Sequence, residues 1–278
     1  MEQICDLHTH SVFSDGTYTP TEIINEALEK GLSAVALCDH NTINGLGEFL
    51  EAAKGKNIEA ICGSELSVDY NGIELHLLGL FIPPSKFKAV LEKLEESNEQ
   101  KRLSNIALID ALNQAGYEID YETVEKSCPN GRFNRSHVAE ELTRKGYTSS
   151  IQEAFDTLLD REHGYYIDPK RPSVFEMIVF INEIGAVPVL AHPFLNLSYE
   201  ELDAFLPLAK EKGLMGMECF YSTYDEETTK KSIELADKYG LAYSGGSDFH
   251  GGKKPDINLG SGYSDLQIPY EWAGKLKS

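Results

Sequence analysis

Short apolar runs alternate with segments of helical period over most of the chain. The apolar runs lie near 4–7, 33–38, 58–62, 66–70, 73–81, 186–191, 214–220 and 241–244. The segments of helical period between them lie near 19–30, 46–54, 173–183, 199–212 and 226–239. Such alternation predicts strand–helix units and a parallel sheet, either open or closed into a barrel. Asn71-Gly72 predicts one hairpin between two of the strands.

The segment 85–165 departs from this alternation and has no convincing buried strand. Its helical patterns lie near 87–114, 136–145 and 151–160. Pro83-Pro84 and Asp168-Pro169-Lys170-Arg171-Pro172 mark its two ends, because proline interrupts both helices and strands. We therefore predict a helical insertion at 85–165 within a main domain made of 1–84 and 166–278.

Polar motifs follow the predicted strands, and six of the eight histidines lie in them. The side chains suited to metal binding are His8, His10, Asp15, His40, Glu65, His76, His192, Asp248 and His250. Imidazole and carboxylate are the ligands that borderline divalent ions prefer. A structural site needs only about four ligands. The larger set therefore predicts a multinuclear metal centre with a catalytic role.

The spread of these motifs along the chain bears on the architecture. His8 follows the first strand, whereas His250 follows the last. In a barrel all C-terminal strand ends meet on one face, where active sites are built. In an open sheet the first and last motifs would lie too far apart to share a site. The motifs therefore favour a barrel.

Several of these residues have a second interpretation. His76 lies in an apolar run, where a core histidine is common, but its closeness to Glu65 favours a ligand. Asp39 is either a partner for the ring of a ligand histidine or a loop cap. Glu218 lies in a late strand and is predicted to support the site or the fold rather than to bind an ion.

Composition limits the classes of partner. The formal net charge is −20, and so acidic a surface repels long polyphosphate chains, so we expect no binding to duplex nucleic acid. A small anionic substrate remains compatible, because bound cations make a pocket locally positive. We expect no membrane span and no signal segment. The five scattered cysteines indicate free thiols in a cytoplasmic protein, which we expect to be a monomer or small homo-oligomer.

The motifs resemble those of the PHP family, named for polymerase and histidinol phosphatase. The matching elements are Asp6-Leu7-His8-Thr9-His10, Ser14-Asp15-Gly16, Asp39-His40, Glu65, His76, Ala191-His192-Pro193 and Ser247-Asp248-Phe249-His250. The resemblance implies an α/β fold, a distorted (β/α)7 TIM-like barrel with a small helical insertion that covers the active site. It implies two or three divalent ions, for which manganese, iron and zinc are equally suited.

The resemblance also implies an allocation of ligands and substrate contacts. One ion takes His8, His10, Glu65 and Asp248, a second takes Glu65, His76 and His192, and a third takes Asp15, His40 and His250. Arg135 and His137 match the Arg-x-His element of the stand-alone nucleotide 3′,5′-bisphosphate phosphatases, which implies contact with the substrate phosphate. Lys170 and Arg171 are further candidates for substrate binding, whereas His163 is predicted to lie in a surface loop. Phe194-Leu195 departs from the Gly-Arg that relatives often carry after His-Pro.

The leading hypothesis is a metal-dependent phosphoric monoester hydrolase, a phosphatase, acting on a nucleotide 3′,5′-bisphosphate or monophosphate. A hydroxide that bridges two ions would attack phosphorus, and Asp248, His137 and Arg135 are the predicted catalytic residues. The alternatives are a histidinol phosphate or sugar phosphate phosphatase, an amidohydrolase-like C–N hydrolase, and a non-catalytic metal-binding module. Short oligonucleotides are a further possible substrate.

Overall fold

The structure is a computed structural model that describes residues 3–128, 133, 135–160, 164–263 and 265–277. The chain divides into two compact units. The sheet unit consists of Met1–Leu91 and Pro172–Ser278, and the helical unit consists of Glu92–Arg171. Both boundaries lie several residues further along the chain than the ends of the helical insertion expected from the sequence.

The described strands all belong to the sheet unit. They are β1 (Ile4–Thr9), β2 (Ala34–Leu37), β3 (Glu59–Cys62), β4 (Ser64–Tyr70), β5 (Ile73–Leu80), β6 (Val187–Ala191), β7 (Gly216–Tyr221), β8 (Ala242–Gly246) and β9 (Ile268–Pro269). They form a four-stranded sheet of order β3-β2-β1-β9 and a five-stranded sheet of order β4-β5-β6-β7-β8. Pairing is parallel except that β5 is antiparallel to β4 and β6, and β9 is antiparallel to β1. The fold is therefore mixed α/β. The antiparallel β4–β5 pair is the hairpin predicted at Asn71-Gly72, whereas the antiparallel pairing of β5 with β6 and of β9 with β1 was not predicted.

Backbone hydrogen bonds join the two sheets at two places. Asp248 N donates to His8 O at 2.9 Å, which joins the segment after β8 to the end of β1. Asn41 N donates to Glu65 O at 2.8 Å, which joins the segment after β2 to β4. The ladders between the described strands nevertheless remain two sheets rather than one closed sheet.

The helices follow the predicted alternation, and their ends carry the expected signals. They are α1 (Pro20–Glu29), α2 (Leu46–Ala53), α3 (Phe87–Gln114), α4 (Tyr121–Lys126), α5 (Arg135–Arg144), α6 (Ile151–Asp156), α7 (Val174–Glu183), α8 (Tyr199–Glu211), α9 (Glu226–Tyr239) and α10 (Glu271–Leu276). In α1 the Thr19 hydroxyl accepts from Glu22 N at 3.2 Å, and the Glu22 carboxylate accepts from Thr19 N at 2.7 Å. This capping box, with Pro20 in the first turn, fixes the start of the helix. None of the described helices is both long and apolar enough to span a membrane.

Alternate residues of strands from both sheets pack into one apolar cluster. It contains Cys5 and Leu7 of β1, Ala34 and Ala36 of β2, Leu78 and Leu80 of β5, and Val187, Val189 and Ala191 of β6. The period of two arises because successive side chains of a strand point to opposite faces. The two sheets therefore share a core and act as one scaffold for the strand ends.

The helical unit has its own core, which is rich in aromatic residues. Buried Leu108, Leu112, Val138 and Leu142 form its centre. The aromatic side chains packed around them are Tyr117, Tyr121, Phe133, Tyr147, Phe155 and Tyr165. A separate core is the property expected of a compact unit within a larger chain.

The structure also contains short elements that the sequence did not predict. These are α4, α10 and β9, and each is too short to establish a period of 3.6 or 2. The predicted helix near 151–160 is shorter than expected, because α6 ends at Asp156. The other predicted helices and strands agree with their predicted bounds to within two residues at each end.

Candidate metal centre

The side chains predicted as metal ligands lie close together in the sheet unit. They come from the ends of β1, β2, β6 and β8, from β4 and β5, and from the loop after β1. The structure brings together His8, His10, Asp15, His40, Glu65, His76, His192, Asp248 and His250. Their grouping follows from the architecture, because the loops at the ends of parallel strands meet on one side of a sheet.

Four ligand atoms meet between β1, β4 and the segment after β8. The Nε2 atoms of His8 and His10 are 3.0 Å apart. Glu65 Oε2 lies 3.4 Å from the first and 3.3 Å from the second. Asp248 Oδ1 lies 3.7 Å and 3.1 Å from the same two nitrogens. Two imidazoles and two carboxylates directed at one point form a donor set suited to a divalent ion.

Glu65 is shared with a second group of imidazoles. Its Oε1 lies 2.7 Å from His76 Nδ1 and 2.9 Å from His192 Nε2. Its Oε2 also lies 2.9 Å from His40 Nδ1. The Glu65 side chain is fully buried, and both of its oxygens face these rings. A carboxylate in this position is able to bridge two ions.

A third group surrounds Asp15 in the loop after β1. Asp15 Oδ1 lies 3.2 Å from His250 Nε2, and Asp15 Oδ2 lies 3.8 Å from His40 Nε2. His10 belongs to this group as well as to the first one. The three groups are therefore contiguous, and two of them share His10 while two share Glu65.

Glu218 on β7 contacts two of the candidate ligands, His8 and His192, and also forms a possible ligand group with them. Its Oε1 lies 3.0 Å from His8 Nδ1, and its Oε2 accepts a hydrogen bond from His192 N at 2.7 Å. A proton held on His8 Nδ1 leaves Nε2 free to coordinate an ion. One buried carboxylate therefore fixes the tautomer of one candidate ligand and the backbone of another.

The backbone at two candidate ligands adopts a conformation that side chains rarely favour. His192 has φ of +25° and Asp248 has φ of +55°. Strain of this kind is concentrated at functional sites, where the surrounding structure enforces it. Gly246 permits the close approach of β8 to β1, since a Cβ there would lie 2.4 Å from His8 Cβ. The sequence signal for this contact was the pair of glycines before Asp248.

Asp39 holds the loop after β1 in place. Its carboxylate accepts hydrogen bonds from Ser11 N at 2.7 Å, Ser11 Oγ at 2.6 Å and Ser14 Oγ at 2.7 Å. These are contacts of a loop cap, which was one of the two interpretations of this residue. They fix the segment that carries Asp15.

Asp248 has two partners that the sequence did not reveal. Its Oδ2 accepts from the Tyr221 hydroxyl at 2.7 Å and from Lys254 Nζ at 2.6 Å. Tyr221 ends β7, and that position at a strand end was the available signal. Lys254 lies in the loop after β8 in no motif, so its contact depends on the path of the loop.

The charges in the centre act differently on its candidate ligands. Glu218 and Glu65 outweigh burial and raise the pKa of His8, and Glu65 outweighs burial and raises the pKa of His76 to about 10, so these two rings must lose a proton to coordinate an ion. Burial raises the pKa of Glu65, but the charges of His40, His76 and His8 outweigh burial and hold that pKa well below its usual value. Burial, together with His250 and His40, holds the pKa of His10 well below its usual value. Glu65 is therefore a carboxylate and His10 a neutral imidazole at neutral pH, as coordination requires.

The buried polar atoms provide a test of whether the site suits ions. Glu65 Oε2 is buried and has no hydrogen-bond partner among the described residues, although three imidazole nitrogens surround it. Buried polar atoms nearly always find partners, and an unpaired one needs an explanation. A divalent cation supplies the missing partner, so the residues of the centre fit a metal site.

Two residues predicted to contact substrate lie on α5 in the helical unit. Arg135 begins the helix, and its guanidinium carbon lies 3.9 Å from the centroid of the Tyr166 ring. His137 is buried on the same helix. Their role toward a substrate stays a prediction.

The remaining sequence candidates of the helical unit lie near its C-terminal end. Arg171 donates to Asp168 Oδ1 at 2.9 Å, and Lys170 is exposed. His163, which was predicted to lie in a surface loop, falls outside the described residues. The assignment of Lys170 and Arg171 to substrate binding stays a prediction.

Comparison with known sequences relates the chain to phosphoester hydrolases. A family model described as the PHP domain matches residues 6–169. A 5'-3' exoribonuclease of Haemophilus influenzae is 31% identical over 88% of this chain and 89% of its own length. A phosphoribosyl 1,2-cyclic phosphate 1,2-diphosphodiesterase of Eggerthella lenta is 29% identical over 91% and 97%. A 3',5'-nucleoside bisphosphate phosphatase of Chromobacterium violaceum is 28% identical over 88% and 86%.

Two solved structures have nearly the same fold along the whole chain. A protein of Bifidobacterium adolescentis, assigned as a metal-dependent phosphoesterase, has a TM-score of 0.85 and 27% identity over 99% of this chain and 95% of its own. A protein of Chromobacterium violaceum, named an amidohydrolase and solved with bound sulfate, has a TM-score of 0.85 and 26% identity over 98% and 96%. The similarity therefore covers both the sheet unit and the helical unit.

Proposed function

Because the chain belongs to the PHP family of metal-dependent phosphoester hydrolases, we propose that its substrate is a nucleotide and its reaction the hydrolysis of a phosphomonoester. The observation that carries this proposal is the convergence of three contiguous groups of ligand atoms on Glu65 and His10. More than one ion at such a site suits phosphoryl transfer, in which charge on several oxygens must be neutralised at once.

The names of the relatives narrow the substrate class. The Haemophilus influenzae relative is named for RNA, the Eggerthella lenta relative for a phosphoribosyl cyclic phosphate, and the Chromobacterium violaceum relative for a nucleoside bisphosphate. All three names describe phosphate attached to the sugar of a nucleotide or of a phosphoribosyl compound. A phosphoester on such a sugar is therefore the chemistry that they share, and nucleotides belong to this class.

The chain would hold two or three divalent ions in the centre. We propose His8, His10, Glu65 and Asp248 for the first, Glu65, His76 and His192 for the second, and Asp15, His40 and His250 for the third. Bound ions would lower the pKa of a coordinated water and neutralise charge on the phosphoryl oxygens. Manganese, iron and zinc all suit imidazole and carboxylate ligands.

The chain's own residues supply orientation and proton transfer. Glu218 holds His8, while Tyr221 and Lys254 hold the second oxygen of Asp248. The leaving alkoxide needs a proton, and His137 is the side chain we propose to deliver it. Asp248 is proposed as a metal ligand only, because the charges of His250 and Lys254 outweigh burial and hold its pKa well below its usual value. We propose Arg135 as a further contact for the phosphate, because a guanidinium matches phosphate geometry with two donors.

We also propose that the two sheets belong to a distorted (β/α)7 barrel interrupted by the insertion 85–165. The hydrogen bonds from Asp248 to His8 and from Asn41 to Glu65 support this architecture, since they join the C-terminal ends of β1 and β2 to β8 and β4, the two edge strands of the other sheet. The apolar cluster shared by the two sheets supports it as well.

A substrate panel tests the proposed reaction. Purified protein loaded with Mn²⁺ is assayed with nucleoside 5′- and 3′-monophosphates, 3′,5′-bisphosphates, histidinol phosphate, sugar phosphates and amides. We expect the highest kcat/KM for a nucleotide monoester and its loss in Asp248→Ala, with Asp237→Ala as a matched surface control. Turnover of amides alone would favour a C–N hydrolase, and no turnover of any substrate would favour a metal-binding module.

Release of nucleotides from short RNA is the second candidate function. The 31% identical relative is named a 5'-3' exoribonuclease, and its similarity covers most of both chains. The net charge of −20 favours short over long substrates. A 5′-phosphorylated trinucleotide and an RNA of about 30 nucleotides, assayed beside the mononucleotides, distinguish the two functions.

A further inference from the structure

We infer that a cavity of about 220 Å³ beside Asp248 is the subsite for the leaving group of the substrate, and that it holds a planar aromatic base. Tyr221, Thr223, Lys254 and Tyr263 line this cavity, which we call the base cavity. The inference rests on the proposed function, because it concerns the organic part of the same phosphoester.

The base cavity adjoins the candidate metal centre directly. Tyr221 and Lys254 line the cavity. The Tyr221 hydroxyl and the Lys254 ammonium both donate hydrogen bonds to Asp248 Oδ2. The other oxygen, Asp248 Oδ1, faces His8 and His10. One carboxylate thus separates the cavity from the group of ligand atoms. A phosphate at the ligands would extend its ester-linked group toward the cavity.

The size and lining of the base cavity suit one ring system. Its volume lies below the roughly 300–1,000 Å³ of sites that bury an entire drug-sized ligand. Tyr263 is 51% exposed and offers an aromatic face, and Pro255 adds a second apolar surface. The Lys254 ammonium and the Thr223 hydroxyl are donors for the ring nitrogens and carbonyls of a base.

Among the described residues, a second cavity of about 280 Å³ lies after His192 and is a competing location. Phe194, Leu195 and Tyr199 line it, and Thr223 borders both cavities. Its lining is also aromatic, but among the described hydrogen bonds none joins its residues to a candidate ligand side chain. The two hydrogen bonds to Asp248 therefore favour the base cavity.

Binding of two non-hydrolysable analogues tests the assignment. The phosphonate analogues of adenosine 5′-monophosphate and of ribose 5-phosphate are titrated into Mn²⁺-loaded protein by calorimetry. We expect the adenosine compound to bind about tenfold more tightly, the size of one base–aromatic stacking contact. Tyr263→Ala should remove this preference, Tyr263→Phe should retain it, and Tyr199→Ala, the matched control in the second cavity, should leave it unchanged.

The results of these titrations show whether the base binds in the base cavity or in the second cavity. Loss of the preference in Tyr199→Ala alone would place the base in the second cavity and overturn the inference. Equal weakening of both analogues by Tyr263→Ala, or no preference in the unmodified protein, would overturn it as well. Because the phosphonates are never cleaved, these results stand apart from the substrate panel, in which absence of phosphomonoester turnover contradicts the proposed function instead.

Discussion

The sheet unit and the helical unit place similar acidic side chains in opposite environments. Glu65 in the sheet unit has a side chain that is 0% exposed and faces several imidazoles. Glu122 in the helical unit is 75% exposed and pairs with Lys126 four residues later. An exposed ion pair contributes only about 0–1 kcal/mol to the free energy of unfolding. A buried charge, in contrast, destabilises the fold unless it is paired and hydrogen-bonded or coordinates a metal. The environment, rather than the residue type, therefore separates acids of the candidate centre from acids that keep the surface soluble.

Removal of the shared carboxylate should give the largest effect. Glu65→Gln keeps the size of the side chain but removes the charge and one ligand oxygen from two groups of ligands. We expect kcat/KM to fall by about 10³-fold or more, together with loss of at least one metal ion per chain. Steady-state kinetics and elemental analysis of the same preparation provide the measurement.

Glu59→Gln is the control for this change. Glu59 lies on β3 and binds Tyr270 Oη at 2.7 Å and Lys277 Nζ at 2.6 Å, away from the candidate ligands. Its substitution should leave kinetics and metal content unchanged. Full activity and full metal content in Glu65→Gln would remove Glu65 from the centre.

The next largest effect should come from the residue that supports the ligands. Glu218 accepts from both His8 and His192, so the amide of Glu218→Gln must direct its NH₂ group at one of these donors. We expect a loss of about 10–100-fold in metal affinity or activity, the usual effect of removing such a support. Metal competition with a fluorescent chelator measures it. Metal affinity equal to that of surface control Glu227→Gln would show that Glu218 serves the fold only.

The sequence predicted the fold best where the pattern was long. The bounds of α3 and α9 agree with the predicted segments, because several turns establish a period of 3.6. The direction of β5 follows from the hairpin at Asn71-Gly72, which reverses the chain within the sheet. The two residues of β9 carry no pattern, since their pairing with β1 depends on the tertiary structure.

The residues of the candidate site also fall into two classes, those that the sequence pattern revealed and those whose role depends on the tertiary structure. His8, His192 and Asp248 were found because each follows an apolar run, and the strand ends bring them together. Lys254 was not found, because its contact with Asp248 depends on how the loop after β8 folds back. The role of Glu218 was left open, since only the register of β7 shows which rings its carboxylate meets.

The helical unit should contribute to substrate affinity rather than to metal binding. Arg135→Lys keeps the charge but loses the forked donors, so we expect KM for a nucleotide monoester to rise about tenfold with little change in kcat. Arg144→Lys on the same helix is the control, because Arg144 pairs with Glu141 at 2.6 Å and is 65% exposed. Equal KM values in both variants would contradict a substrate role for Arg135.

The smallest effect should come from removing one helix N-cap in each unit, which lowers the free energy of unfolding. The two substitutions together test whether the sheet unit and the helical unit unfold separately. Ser198 caps α8 and accepts from Glu201 N at 3.3 Å, while Ser150 caps α6 and accepts from Glu153 N at 3.0 Å. Substitution of either serine by alanine should lower the free energy of unfolding by about 1 kcal/mol, and substitution by glycine by only a few tenths.

The single tryptophan, Trp272 on α10, makes this test specific to the sheet unit. Because each unit has its own core, we expect Ser198→Ala to lower the midpoint of the Trp272 fluorescence transition by about 2–4 °C. Ser150→Ala should leave that midpoint unchanged and shift only the loss of helix measured by circular dichroism. Equal shifts of the fluorescence midpoint in both variants would mean that the helical unit and the sheet unit unfold as one, so that a substitution in either would alter the stability of the candidate metal centre.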